Sequence, residues 1–359
     1  MKKALILIAI ACATTMCTPT ANKEEKVNDE PAKQEEAVQL EVVGEFKTRP
    51  GNVAASNDGR VFSTMHPLDK DNNQLVEVKA NNEIVPFPNA DYQKNGGPAA
   101  DEKLDTPLGV RVDENNILWV IDMGQNLGKT RLFGFDIATQ QEVFRLDFPK
   151  EVAPAGSFVQ DLAVDEVNGW VYLADIADAG ILAVNMKTQT VRRFGNEILA
   201  AEDIDMIIDE KVIYFGGVPA RVAVNPITLS SDRNSLFFGA MNGTKWYTVP
   251  ANLFRDNAAD SLIAASITVA GDKPISDGVA TDAAGNHYFT NLQEDGLDIL
   301  GTDGVLKPLI RDPKIIWADN VDVKGGYAYF TVNQLHTAPT FTGAEDQGKP
   351  PYFIYKIKL

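Results

Sequence analysis

The feature that most constrains this chain is a phrase of about a dozen residues that returns along its length. A short hydrophobic run ends in Asp or Asn, a Gly or Asn turn follows, and an aromatic β-type run closes it. Copies occupy residues 53–64, 109–122, 161–175, 221–239 (interrupted after Pro226), 277–290 and 319–331. Within each copy the apolar residues alternate with period two, the pattern of a strand with two unlike faces. Six β-hairpins at a spacing of roughly 40–60 residues are the sequence form of a ring of blades. The expected fold is therefore all-β, a six-bladed β-propeller. Its blades form one closed domain over 41–359, because a ring cut in the middle exposes strand edges.

The expected blades run 41–88, 105–149, 157–196, 204–255, 275–312 and 314–359. Asn81-Asn82, Gly285-Asn286, Asp303-Gly304 and Gly325-Gly326 supply hairpin-turn chemistry. Residues 256–264 read as a short helix on a connection between strands. The long loops 89–106 and 337–351 are candidate lids over the channel mouth.

The first residues read as an export signal. Lys2 and Lys3 precede an apolar run, 4–11, that is too short to span a bilayer. The chain's 2 cysteines, Cys12 and Cys17, close this run. A signal ending at Cys resembles a bacterial lipoprotein signal, with lipidation expected at Cys17 or Cys12. Ordinary cleavage near residues 11–13 is the alternative. Residues 18–40 are polar and charged without hydrophobic period, as in a disordered tether. The expected location is the cell envelope or beyond it: secreted, periplasmic, or an outer-membrane lipoprotein touching the membrane only through its lipid. No cysteine follows Cys17, which removes disulfides, thiolate metal sites and thiol nucleophiles from the domain. The formal charge of −17 repels phosphate backbones, so nucleic acid is not an expected partner. It suits a neutral or cationic ligand, or a bound divalent cation.

Three segments carry a resemblance to a known family: 118–124 (Leu-Trp-Val-Ile-Asp-Met-Gly), 158–175, and the closing 319–336 with its Asn333-Gln334-Leu335 run. They resemble the major royal jelly protein / Yellow family, over nearly all of the chain after residue 40, as a bacterial member of it. The resemblance implies a secreted six-bladed propeller with a ligand tunnel along its axis. Some insect members look like dopachrome tautomerases, some salivary members bind biogenic amines such as serotonin, and bacterial relatives are compared with lactonases. The chain lacks the cysteines that insect members use for disulfides.

Polar residues just before the inner strands, Asn52, Asp161, Asp277, Asp319 and Asn320, are expected at the channel entrance. Converging carboxylates and amides suit Ca²⁺ or another hard divalent cation. Residues 276–285 are similar to a blade of gluconolactonase-type propellers in which the Asp holds the metal, which makes Asp277 a candidate metal ligand. The glutamate those enzymes carry in blade one is not evident near Gly51-Asn52. In the family's amine binders the closing segment contacts the ligand. That implies ligand roles for Asn333 and Gln334, with Phe341 as an aromatic wall. Of the 3 histidines, His336 is the first candidate for proton exchange and His66 the second, while His287 lies mid-strand and reads as packing. Asp122 and Asp175 end equivalent strands and read as architectural. No Gly-x-Ser-x-Gly, P-loop, dinucleotide fingerprint or His-Glu-x-x-His occurs.

The expected function is small-molecule binding in the axial channel, the ligand an aromatic amine or a lactone. A metal-assisted lactonase or a dopachrome-type tautomerase is the enzymatic alternative, and a protein-interaction platform is a third.

Overall fold

The computed structural model describes residues 38–359. Cys12, Cys17 and the segments expected to be an export signal and a tether, up to residue 37, lie outside the described residues. Six four-stranded antiparallel sheets form the blades. Blade two shows the pattern: Pro107–Val112, Ile117–Asp122, Arg131–Asp136 and Gln141–Asp147 follow one another from the axis outward. Burial falls in the same order. The inner strand of blade three, Val159–Asp165, is buried throughout, whereas the outer strand Gln141–Asp147 of blade two is largely half-exposed. An inner strand has a neighbouring blade on each face, so both of its faces read as apolar or hydrogen-bonded polar residues.

The six inner strands touch in sequence around the axis, Pro50–Ala55, Pro107–Val112, Val159–Asp165, Val224–Leu229, Val279–Thr281 and Ala318–Lys324, and the last touches the first. Closure comes from an exchange of ends. The strand Glu41–Phe46, expected in blade one, is the outermost strand of blade six and pairs with Tyr352–Lys358, Val42 opposite Tyr355 and Phe46 opposite Tyr352. First and last strands in one sheet leave no blade edge open at the seam. Leu40, placed in the tether by the sequence, already packs on the blade-six core.

In blades two to five an Asp of the repeat ties the turn after the inner strand. Asp113 Oδ1 accepts from the backbone N of Asn115 and Ile117, each at 2.9 Å, and its Oδ2 accepts from Trp119 Nε1 at 2.9 Å. Asp122 and Asp175 do hold backbone: Asp122 Oδ1 accepts from Thr106 N at 2.8 Å, and Asp175 Oδ1 from Phe158 N at 2.9 Å.

Blade four departs most from the expected boundaries. Its inner strand starts at Val224, and its outer strand, Thr268–Asp272, follows helices Asn252–Arg255 and Asp260–Ala265. The residues before it form two tight hairpins instead, Ile207–Ile208 with Lys211–Val212 and Tyr214–Phe215 with Val218–Pro219. Of the two expected lids, loop 337–351 supplies Phe341 to the cavity described below. Loop 89–106 does not line that cavity, and its Tyr92 packs edge-on against Phe135 at 5.2 Å.

Candidate functional site

The pairing of inner and second strands slips in five blades, at residues 50–53, 107–110, 159–161, 224–227 and 318–321. Such a bulge re-aims side chains at the strand head. Asn52, Asp161, Asn225, Asp319 and Asn320 all sit within or beside these slips and are buried. Blade two has Gly109 there instead. A Cβ at Gly109 would lie 2.3 Å from the carbonyl oxygen of Gln160, so the two blades meet through backbone and only glycine fits.

Three carboxyl groups sit at this end. Asp277 Oδ1 accepts from Asn225 Nδ2 at 2.6 Å and Gln160 Nε2 at 3.1 Å, and its Oδ2 accepts from Trp317 Nε1 at 2.9 Å. Asp319 Oδ1 accepts from Asn52 Nδ2 at 3.0 Å and its Oδ2 from Asn333 Nδ2 at 2.7 Å. Asp161 Oδ1 accepts from Leu162 N at 2.8 Å, and its Oδ2 has no partner. Burial pushes the Asp161 carboxyl up to about 7. Burial also raises Asp277 well above the usual carboxylate range, reinforced by the charge of Asp319, and it raises Asp319 despite the two amides bonded to it.

The amides follow one rule. Asn52, Asn225 and Asn333 each give Nδ2 to a carboxylate, which leaves Asn52 Oδ1, Asn225 Oδ1 and Asn333 Oδ1 buried without a donor. Together with Asp161 Oδ2 these are unsatisfied oxygen acceptors on one polar layer. Buried acceptors without donors are rare and costly. Among the described residues no group of three or more His, Cys, Asp or Glu could hold an ion by itself. A cation here would need the amide oxygens.

Above this layer lies an apolar cavity of about 80 Å³. Met206, Phe215, Met241, Trp317, Leu335 and Phe341 contribute its walls, and Asp277, Asp319, Gln160 and His66 its polar lining. Below the layer, Arg111 crosses the axis. Its Nη2 donates to Val279 O at 2.9 Å, and its Nη1 to Val321 O and Asp322 Oδ1, each at 3.1 Å. Its Nη2 lies 3.7 Å from Asp161 Oδ1. The channel is therefore divided by a guanidinium rather than continuous, and an open basin of about 720 Å³ lies on the far side.

The profile of the Major royal jelly protein family matches residues 106–309. The chain belongs to this family. Protein yellow of Drosophila subobscura is 26% identical over 129 residues, 33% of this chain and 22% of that protein. The match thus spans about a fifth of the relative's length. Among solved structures, a luciferin-regenerating enzyme superposes with TM-score 0.56 at 12% identity, covering 90% of this chain and 96% of that one. A gluconolactonase from Xanthomonas campestris gives 0.55 at 12% identity, covering 89% and 90%. Virginiamycin B lyase from Staphylococcus aureus gives 0.53 at 13% identity, covering 90% and 99%. At such identities the likeness is one of fold alone.

In this royal jelly family propeller the expected residues separate into groups. Asn52, Asp161, Asp277, Asp319 and Asn333 share the polar layer, and Phe341 lines the cavity above it. Asn320 instead binds blade one, accepting from Val53 N at 3.2 Å. Gln334 turns away from the cavity and pairs through both side-chain ends with the backbone of Lys349, at 3.0 Å each. His336 stacks on Trp317 with ring centroids 5.7 Å apart and does not line the cavity. His66 does line it. Its Nδ1 accepts from Leu68 N at 3.2 Å, which places the proton of the neutral ring on Nε2, and burial beside Arg49 pushes the imidazole down to about 3. Asn225, Gln160, Trp317 and Arg111 were not expected in the site. Asn225 was legible in principle: Val224-Asn225-Pro226 is the head of an inner strand, but its apolar context matches the end of the repeat's first run equally well.

Proposed function

We propose that this chain is a small-molecule-binding propeller of the cell envelope, with a compact aromatic cation as ligand in the cavity at the blade-head end of the axis. The observation that carries this reading is the pairing of aromatic and aliphatic walls with Asp277 and Asp319 beneath them. Apolar walls hold a ring, an ammonium pairs with the carboxylate formed when Asp277 or Asp319 gives up its proton on binding, and together they disfavour anions. His66 Nε2–H adds a neutral donor for a ligand oxygen. The export and lipid-anchor part of the proposal rests on Lys2, Lys3, the apolar run after them and Cys12 or Cys17. Titration calorimetry with tyramine and with the uncharged 2-phenylethanol tests the site. The amine is expected to bind at least tenfold more tightly, about 1.4 kcal/mol, and Asp319→Asn to erase the difference. Equal affinities for the two, or no binding of either, would sink the reading.

A second reading, a metal-assisted lactonase, is favoured by the four orphaned oxygens. Asn52, Asn225 and Asn333 would hold a hard divalent cation through Oδ1, and Asp161 through Oδ2, a donor set typical of Ca²⁺. Bound there, such an ion supplies polarisation of a lactone carbonyl. Asp277 orients Asn225, Asp319 orients Asn52 and Asn333, and His66 presents its Nε2 proton to the cavity. Elemental mass spectrometry of the purified protein separates the readings: a stoichiometric divalent ion that is lost in Asp277→Ala favours the lactonase, and its absence removes it.

A further inference from the structure

The cavity is smaller than the ligand proposed for it. An apolar cavity near 150 Å³ accepts a benzene ring, whereas this one measures about 80 Å³. A ring fits only if a wall moves. Phe215 and Phe341 both line the cavity and meet edge-on, with centroids 5.0 Å apart and planes at 64°. Phe215 is also 41% exposed and stands at the mouth of the cavity, which the exposed Leu68 and Gln125 line as well.

The two sides of this contact are held very differently. Phe341 rests on Trp317 at 5.4 Å and belongs to the short helix Pro339–Thr342. Arg49, fully buried, fixes that segment: it bonds Asn333 O at 3.1 Å, Thr337 Oγ1 at 3.0 Å and Asp346 Oδ1 at 2.6 Å. Phe215 belongs to two-residue strands around Gly216-Gly217, whose φ values of 60° and 86° suit a tight glycine turn. All four residues of these strands are exposed. The hairpin reaches the helix segment through Gly216 N to Thr340 O at 3.1 Å. Its base is firm, since Met206, Ile213 and Ala220 are buried in one cluster.

We infer that the 214–219 hairpin is a gate whose Phe215 closes the cavity against a fixed Phe341, and that its opening admits and size-selects the ligand. This rests on the binding reading for the ligand's identity, but the gate is testable without any ligand. In the full chain carrying Cys12→Ser and Cys17→Ser, Met241→Cys puts one reporter thiol in the cavity wall, and Ala251→Cys, in a separate preparation, puts one in the core of blades three and four. Each is labelled with methyl methanethiosulfonate and followed by intact mass. Adding Phe215→Ala is expected to accelerate the cavity reporter by about tenfold or more while the core reporter changes by less than about twofold, as for local rather than global opening. Phe215→Leu, a milder change, should fall between. No acceleration in either variant, or equal acceleration at both reporters, overturns the gate. Faster labelling with no tyramine binding would sink the binding reading and keep the gate; tyramine binding without faster labelling would do the reverse.

Discussion

Trp317 Nε1 donates to Asp277 Oδ2 across 2.9 Å, so the largest side chain of the cavity wall is fixed by the carboxyl group beneath it. Both residues are buried, and the indole also carries His336 on one face. Trp317→Phe keeps a ring but deletes the donor and leaves a buried carboxylate oxygen unpaired. The expected cost is about 1–3 kcal/mol, read as a lower urea midpoint at unchanged m-value. An unchanged midpoint would mean that water replaces the indole and that the cavity wall does not depend on this bond.

The buried carboxyl groups give stability a definite dependence on pH. Burial pushes the folded Asp161 carboxyl up to about 7, against about 3.9 for a free aspartate. The folded state therefore holds the proton more tightly. This contribution is fully present below pH 4 and is lost as pH rises through 7. Asp277 and Asp319 act in the same direction. Histidines oppose them at lower pH, because His66 and His287 are pushed down to about 3 and about 4 by burial and favour unfolding as pH falls below about 6.5. The test is accordingly a difference: from pH 6 to 8 the wild type should lose stability relative to Asp161→Asn, by up to about 1.4 kcal/mol per pH unit. Parallel pH profiles would contradict it.

The fold was legible because its signal is repeated. Each Asp-turn phrase marks one hairpin, and several copies fix the ring even where one is broken. Strand Glu41–Phe46 could not be assigned to blade six from its own residues, since its partner Tyr352–Lys358 is at the other end of the chain. Blade four was misjudged because helices separate its third and fourth strands, and Thr268–Asp272 is short, glycine-containing and only weakly apolar. In the site, the residues at strand heads were found from their position in the repeat. Trp317 and Arg111 were not, because the indole acts on the neighbouring blade and the guanidinium across the axis, and period-two patterning holds no information about what faces what between blades. His336 and Gln334 were placed by nearness to Asn333. Yet the Gln334 side chain is held by the backbone of Lys349, and it is the next residue, Leu335, that lines the cavity.

Close approach of blades two and three at Gly109 makes a sharp steric test. Gly109→Ala puts a methyl group 2.3 Å from Gln160 O and 2.8 Å from Ile121 Cδ1. Backbone cannot yield there without parting the inner strands. A loss of at least about 2 kcal/mol is expected, whereas Gly59→Ala, on a turn with nothing within 4 Å of its Cβ, should cost only its left-handed backbone strain of about 1 kcal/mol. Equal losses at the two sites would show that the blade contact is pliable.

Arg111 is the residue whose removal should separate stability from site chemistry most clearly. Its guanidinium reaches carbonyls of blades five and six and the carboxylate of Asp322, and it is the cation beside Asp161. Arg111→Ala strands those acceptors and removes the counter-charge of Asp322 and, where it is ionised, of Asp161, an expected cost of about 3–5 kcal/mol. Lysine carries the charge but not the planar fork that serves several acceptors at once, so Arg111→Lys should recover only part of the loss. At a pH above 7, where Asp161 would otherwise have to ionise, Asp161→Asn introduced into Arg111→Ala should then restore stability, because the neutral amide removes one unpaired charge. The double-mutant cycle reads this coupling directly, with an expected interaction of at least about 1 kcal/mol. Strict additivity of the two changes would show that Asp161 does not feel Arg111, and the charge balance assigned to the polar layer would have to be abandoned.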